Sequence, residues 1–218
     1  MTENRPPDPR ITTSDYRTLL GEAAWSALHP DIRDRFSLQH LQDPVTYEGK
    51  MTEVRLSFAG RLLAQLGRLI GTPLATRQGH DIPTRVDVYP DRRRGGIAWD
   101  RHYQYPMARH ERVISTKRIC PQQGLVELIG GGFGMALAVR AEDRAIVFRS
   151  HGYFWQLGDF RFRLPSLLSP GETTVQQKAL DRGLFEFTLD VVHPWLGRIC
   201  YQRGIFREAS ETPEMPPE

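Results

Sequence analysis

The sequence of 218 residues contains little lysine, little cysteine and no long apolar segment. Lysine occurs only at positions 50, 117 and 178, so arginine supplies nearly all of the 29 basic residues. Asparagine occurs once, and the scarcity of both amino acids suggests a GC-rich bacterial genome. The net charge is only +3, whereas nucleic-acid-binding proteins usually concentrate basic residues on one face. We therefore expect no nucleic-acid partner.

The scarcity of cysteine and of apolar runs narrows the class of protein further. Cys120 and Cys200 are far apart in the chain, and no histidine or cysteine pair has the spacing of a zinc site. No run approaches the ~20 apolar residues of a membrane-spanning helix. Residues 1–10 are polar and proline-rich and lack the apolar core of a secretory signal. We expect a cytoplasmic protein with no integral membrane segment, no metal and no other cofactor.

The chain is predicted to form a single domain over residues 13–208. Residues 1–12 and 209–218 are polar and proline-rich, and the second segment is also acidic. Neither segment has enough apolar surface to offset the entropy that ordering costs, so both are expected to be disordered tails. No internal repeat or linker divides the sequence between them.

Two segments have the apolar spacing of amphipathic helices. The first runs from Tyr16 to Leu28, and Pro30 ends it. The second covers residues 58–70 and has polar residues opposite an apolar stripe. The stripe includes Leu62, Leu66 and Leu69. We expect the second helix to lie as a lid over a sheet.

Alternation of apolar and polar residues predicts strands over most of the remaining chain. The strands are predicted at residues 45–54, 84–89, 97–105, 110–119, 124–130, 134–140, 144–154, 173–180, 183–192 and 197–207. Because short turns separate several of them, we expect an antiparallel meander that curls to hide its edges. The predicted fold is α+β: a curled antiparallel sheet, either a half-barrel or a barrel of about eight to ten strands, with an N-terminal helix and an amphipathic lid helix.

The predicted strand 97–105 places an arginine on an apolar face. Arg101 lies between Trp99 and Tyr103 on the odd-numbered face, which is otherwise apolar or aromatic. These side chains share one side of a pleated strand, and that side is expected to point inward. Arg101 then either binds a carboxylate or phosphate head group, or stacks on the rings and pairs with a glutamate of the sheet.

The last predicted hairpin supplies two further candidates. His193 precedes Pro194 at the end of a strand, where it either holds the turn by hydrogen bonds or titrates in catalysis. Tyr201 lies on the next strand, as either a wall residue or a hydrogen-bond donor to a ligand.

Several of these segments, in this order, resemble the DUF4166 family. They are Leu28-His29-Pro30-Asp31-Ile32-Arg33, Tyr47-Glu48-Gly49, Ile70-Gly71-Thr72-Pro73, Trp99-Asp100-Arg101-His102-Tyr103, Phe133-Gly134-Met135-Ala136-Leu137, Phe187, His193-Pro194-Trp195-Leu196-Gly197 and Tyr201-Gln202-Arg203-Gly204. The likeness covers residues 15–207. It departs at Tyr103, where the family most often has phenylalanine, and at the glycine-rich residues 130–132.

The resemblance implies a bacterial family of unknown function, so no catalytic or binding residue carries over from it. Its members occur alone or joined to other domains, including reductase-like ones, which implies an accessory role.

Three functions are consistent with the sequence. The first is a non-enzymatic binding module for an apolar or amphipathic small molecule inside the curled sheet. Its candidate site residues are Arg101 and Tyr103 at the head group, Trp99 and Tyr201 as walls, His193, and Leu62, Leu66 and Leu69 in the lid. The second is an enzyme that uses His193 or Glu127 as a general base. The third is an interaction domain with a filled core and an unknown protein partner. The volume of the barrel interior distinguishes this function from ligand binding.

Overall fold

The computed structural model describes residues 15–69, 76–106, 108–120, 123–157, 160–165 and 169–209. Four short helices come first: α1 (Tyr16–Leu20), α2 (Glu22–Ala27), α3 (Pro30–Arg35) and α4 (Leu38–Gln42). The strand β1 (Val45–Leu56) follows, and then the 12-residue helix α5 (Phe58–Leu69). The remaining strands are β2 (Gly79–Pro90), β3 (Ile97–Tyr103), β4 (Glu111–Cys120), β5 (Gly124–Gly130), β6 (Phe133–Glu142), β7 (Ala145–Leu157), β8 (Phe160–Arg163), β9 (Glu172–Ala179), β10 (Phe185–His193) and β11 (Gly197–Glu208).

The strands form a closed antiparallel barrel. Ten of them pair in the order β6-β5-β4-β3-β2-β1-β11-β10-β9-β7, and β7 also pairs with β6. The strand β8 lies outside this ring and pairs only with the end of β7. The sequence prediction of a curled antiparallel sheet with N-terminal helical structure is confirmed. Because the ring is closed, each of the ten barrel strands pairs with a neighbour on both edges over at least part of its length.

The N-terminal helical region differs in detail from the single helix that the apolar spacing predicts. Two helices occupy it, because Gly21 has a φ of 76° and breaks the run between α1 and α2. Pro30 does not only end a helix: it is the first residue of α3, where its missing N–H costs nothing. The short helix α4 and the strand β8 were not predicted.

The barrel has two unlike ends. At the helical end, where β1 begins and β11 ends, the helices α1 to α4 pack against the sheet. The ring of Phe36 meets that of Tyr16 edge-on at 5.2 Å and stacks on that of Trp99 at 5.9 Å, so aromatic side chains plug this end. At the opposite end, which we call the mouth, β1 ends, β11 begins, and α5 crosses both.

Two small residues of the helix α5 lie against the barrel, whereas Leu62 does not. Gly60 and Ala64 are buried, and a Cβ at position 60 would overlap the Ile199 carbonyl oxygen. Leu62 points away and is 54% exposed, so it does not cover the barrel interior as the predicted lid would require. The side chains of Leu66 and Leu69 lie outside the described residues.

Candidate functional site

The inner face of β3 carries the residues that the alternation predicts. Trp99 and Arg101 both line a small cavity inside the barrel. Arg101 donates from Nη1 to the Ser115 hydroxyl at 3.2 Å. Tyr103 is fully buried, and its hydroxyl donates to Gln202 Oε1 at 3.0 Å across the barrel. Arg101 and Tyr103 are therefore engaged with other residues of the barrel wall.

A buried ion pair lies beside Arg101. Lys117 and Glu127 face each other on β4 and β5, with 3.0 Å between Nζ and Oε1, and their side chains are 4% and 6% exposed. The ammonium of Lys117 also lies 5.3 Å from the ring centre of Trp99, close enough for a cation–π contact. The inner wall thus holds two cations and one carboxylate.

The pKa shifts of this pair follow from burial together with the excess of positive charge. Burial acts to raise the pKa of Glu127, but the charges of Lys117 and Arg101 and hydrogen bonds from Ser115 and Lys117 outweigh it, so the pKa is lowered. Burial lowers the pKa of Lys117, and Arg101 adds to that effect against the attraction of Glu127. Glu127 is consequently an ionised structural partner and a weak candidate for a general base.

The space inside the barrel is small. The cavity lined by Trp99, Arg101, Gln177 and neighbouring apolar residues has a volume of about 20 Å³, which holds about one water molecule. The predicted binding of an apolar or amphipathic molecule at this place would require the core to open.

A much larger cleft lies at the mouth, where β7 and β9 separate. These strands pair only between Ile146–Arg149 and Thr174–Gln177. Beyond Arg149, β7 continues towards the mouth, whereas β9 reaches only to its first residue, Glu172. The resulting cleft has a volume of about 540 Å³. It is lined by Ser150, His151, Gly152, Tyr153, Arg163, Leu164, Pro165, Ser169, Gly171, Glu172 and Pro194.

Two hydroxyl residues, Ser150 and Tyr153, line the base of this cleft, and the buried Thr173 lies behind them. The Tyr153 and Thr173 hydroxyl oxygens are 2.6 Å apart, and the Thr173 N–H donates to the Ser150 hydroxyl oxygen at 2.8 Å. A register shift opposite Ala136 brings Ser150 and Tyr153, three positions apart, to the same inner side of β7. Burial raises the pKa of Tyr153, against opposing hydrogen bonds from Thr173 and Ser150, so the phenol stays protonated.

Charged side chains flank the hydroxyls. Arg163 and His151 are exposed and have no ion pair with any residue that the structure describes. Glu172 lies 3.6 Å from Arg149 Nε, so its charge is partly balanced. The cleft therefore combines an exposed guanidinium and a partly balanced carboxylate at its rim with neutral hydrogen-bonding groups at its base.

A family model described as a domain of unknown function, DUF4166, matches residues 28–206. The chain belongs to this family. The match begins at the end of α2 and ends within β11, so the DUF4166 domain comprises α3 and almost the entire barrel. Among curated proteins, no sequence matches the chain.

The remaining predicted site residues of this DUF4166 domain do not line the cleft. His193 is buried, and its Nδ1 accepts from the Trp195 and Leu196 N–H groups at 3.2 Å each, which is the turn-holding arrangement. Tyr201 pairs with Arg55 and Asp190 in register and lies on the outer side of β11, with the Arg198 guanidinium 5.2 Å from its ring. Tyr201 is thus not a wall of the interior.

The described residues lack two further kinds of feature. They contain no group of three or more histidine, cysteine, aspartate or glutamate side chains arranged to hold a metal ion. No helix among them is both long and apolar enough to cross a membrane.

Proposed function

We propose that this DUF4166 protein is a non-enzymatic binding module for an amphipathic small molecule, which lies in the mouth cleft. The observation that carries this proposal is the difference in volume between the cleft, about 540 Å³, and the interior cavity, about 20 Å³. Ligand pockets commonly measure roughly 300–1,000 Å³. The proposed class of ligand is the one that the sequence predicts. The proposed binding site is the mouth cleft, whereas the sequence predicts the inside of the sheet.

The lining suggests how such a ligand lies. Leu164, Pro165 and Pro194 offer an apolar wall, and the hydroxyls of Ser150 and Tyr153 offer hydrogen bonds at the base. Arg163 supplies an exposed guanidinium, a group suited to a carboxylate or phosphate. We infer an acidic head group near Arg163 and an apolar body against the prolines.

The environments of the two candidate general bases, Glu127 and His193, favour a binding function over catalysis. The carboxylate of Glu127 is held by Lys117, and its lowered pKa weakens it as a proton acceptor. The Nδ1 atom of His193 is occupied by two backbone N–H groups of its turn. Neither residue lines the cleft.

A cytoplasmic location is part of the same proposal. Cys120 and Cys200 are free thiols, and burial raises the pKa of Cys200 to about 12, which keeps it protonated and unreactive. Unpaired thiols of this kind fit a reducing compartment.

Replacing Tyr153 with phenylalanine tests the place of the ligand. We expect wild type to bind a fluorescent fatty acid with one site per chain and Tyr153→Phe to bind it about tenfold more weakly, as expected for one lost hydrogen bond to a charged group. The measurement is a fluorescence titration. Tyr103→Phe is the matched control, because it removes a buried hydroxyl that does not line the cleft. Weaker binding of the fatty acid by Tyr103→Phe, together with unchanged binding by Tyr153→Phe, would place the ligand inside the barrel instead.

Replacing Arg163 with glutamine tests the charge of the head group. We expect Arg163→Gln to weaken binding of the fluorescent fatty acid about tenfold and to leave binding of its neutral methyl ester unchanged, since only the acid pairs with the guanidinium. Arg207→Gln is the control: Arg207 is exposed, has no ion pair with a described residue, and lies near the end of β11 at the helical end. Equal losses for acid and ester would show that Arg163 does not recognise a charge.

A further inference from the structure

Large apolar side chains are exposed at one end of the barrel. Among the described residues, six have more than half of their surface exposed, and all six belong to elements of the mouth end. They are Phe58 and Leu62 on α5, Phe160 and Phe162 on β8, and Trp195 and Leu196 in the turn between β10 and β11. We call this set the mouth rim. In the described part of the helical end, one large apolar residue is exposed, Leu38, at 39%.

The three parts of the mouth rim are neighbours around the cleft. The helix α5 begins beside β11, because the Ser57 N–H donates to the Ile199 carbonyl at 3.1 Å. The turn with Trp195 immediately precedes β11, and Pro194 lines the cleft together with Arg163 at the end of β8. The rim therefore follows the opening from α5 through the turn to β8.

The helix α5 turns Phe58 and Leu62 towards solvent for a structural reason. Its contact with the barrel is made by Gly60 and Ala64, where a larger side chain at position 60 would overlap backbone. Phe58 and Leu62 are 78% and 54% exposed as a result. An amphipathic helix that turns phenylalanine and leucine outward is typical of binding at a membrane interface.

The charges that surround the rim are positive. Arg61, Arg109 and Arg163 belong to mouth-end segments, are exposed, and make no ion pair with any described residue. Among the described residues, acids of the mouth end are instead paired: Glu53 with Arg55, Glu111 with Arg77, Glu172 with Arg149 and Asp190 with Arg198. At the helical end, exposed arginines are mixed with exposed acids that lack an ion pair within the described part, such as Asp34 and Asp181.

We propose that the mouth end of the barrel binds the surface of an anionic lipid bilayer. The six apolar side chains enter the interfacial region, and Arg61, Arg109 and Arg163 face the lipid head groups. The three arginines without a described ion pair give the mouth end a charge complementary to anionic lipid head groups. Apolar side chains that project from a helix, a turn and a hairpin, with these arginines beside them, suit a fluid surface. This inference does not rest on ligand binding in the cleft, although the cleft would open towards the same surface.

Sedimentation of the full chain with vesicles tests this proposal. We expect binding to vesicles of phosphatidylcholine with phosphatidylglycerol, at least about tenfold weaker binding to phosphatidylcholine alone, and a loss of that preference as salt is raised. The double variant Phe160→Ser/Trp195→Ser should bind the anionic vesicles at least about tenfold more weakly, because it removes two inserted side chains. Leu38→Ser is the matched control at the helical end and should bind like wild type.

Charge variants provide the second half of the test. Arg61→Gln/Arg109→Gln should weaken binding to anionic vesicles about tenfold, while Arg140→Gln/Arg207→Gln should leave it unchanged. Absence of wild-type binding to the anionic vesicles, or equal binding by the Phe160→Ser/Trp195→Ser variant, overturns the proposal. So does a concentration-dependent dimer in analytical ultracentrifugation that this variant abolishes, since the rim would then bind a second copy. Fatty-acid titration of the same variants without vesicles reports on the cleft separately.

Discussion

We expect the Glu127→Gln variant to lose about 3–5 kcal/mol of its free energy of unfolding, the usual cost of removing one partner of a buried ion pair. Glutamine fills nearly the same volume as glutamate, so the loss reports on charge and not on a cavity. The physical reason is that Lys117 would keep its burial and its contact with the Trp99 ring but lose the carboxylate 3.0 Å away. Arg101 would lose the same counter-charge.

The matched control removes both charges of the pair. Lys117→Met/Glu127→Gln should recover at least half of the loss, because no desolvated ammonium then remains without a partner. Urea denaturation of wild type and both variants gives the three free energies. If the double variant were as unstable as Glu127→Gln, the uncompensated charge would not be the cause.

The pair of Lys117 and Glu127 makes the free energy of unfolding of wild type depend on pH. The pKa of Glu127 in the folded state lies below its ordinary value of 4.5. Its contribution is therefore complete above pH 4.5 and is lost as the pH falls through the lower, folded-state pKa. The difference in free energy of unfolding between wild type and Glu127→Gln should shrink in acid accordingly. A difference that stays constant down to the lowest pH at which both fold would contradict the ionised state of Glu127.

The inward position of Arg101 could be predicted from the sequence because it depends only on local alternation. The partners of Arg101 could not be predicted in this way, because Ser115 and Glu127 come close to it only through the register of β3, β4 and β5. The alternative in which Arg101 interacts with a glutamate of the sheet is close to what the structure shows, although Lys117 is the direct partner of Glu127. One strand read alone cannot identify a neighbour two strands away.

Tyr201 shows where alternation is ambiguous. Both faces of β11 contain buried apolar residues. Phe206 is buried on the inner face, and Ile199 is buried near α5 on the outer face. A register shift at Val191 also offsets β10 against the start of β11. The odd-numbered face of β11 is in consequence the outer one, and Tyr201 lies on it.

The cleft could not be predicted because it arises from the separation of two strands. Ser150 and Tyr153 differ by an odd number of positions, and strict alternation would place them on opposite faces. The register shift opposite Ala136 brings them together, and Thr173 reaches them only because β9 begins there. Hydroxyl residues in a strand otherwise resemble ordinary solvent-facing positions, so no sequence signal marks them.

Glycine at position 49 tests the closure of the barrel itself. Gly49 pairs with Phe206 on the strand β11, so it lies where the first and last strands of the barrel join. A Cβ at this position would overlap the Ile205 carbonyl oxygen and lie 2.8 Å from the Phe206 Cα, and both are backbone atoms that cannot rotate away. We expect Gly49→Ala to lower the free energy of unfolding by about 1–3 kcal/mol, the range for added volume in a packed region.

Gly152→Ala is the matched comparison, because Gly152 is also a strand glycine and a Cβ there has no atom within 4 Å. That variant should be as stable as wild type, or more stable by up to about 1 kcal/mol through the lower entropy of its unfolded chain. Urea denaturation gives both values, and equal slopes would show that the two variants unfold from the same compact state. If Gly49→Ala were as stable as Gly152→Ala, β1 and β11 would not approach as closely as the closed barrel requires. The interior would then have room to widen, and the small volume that places the ligand at the mouth would no longer hold.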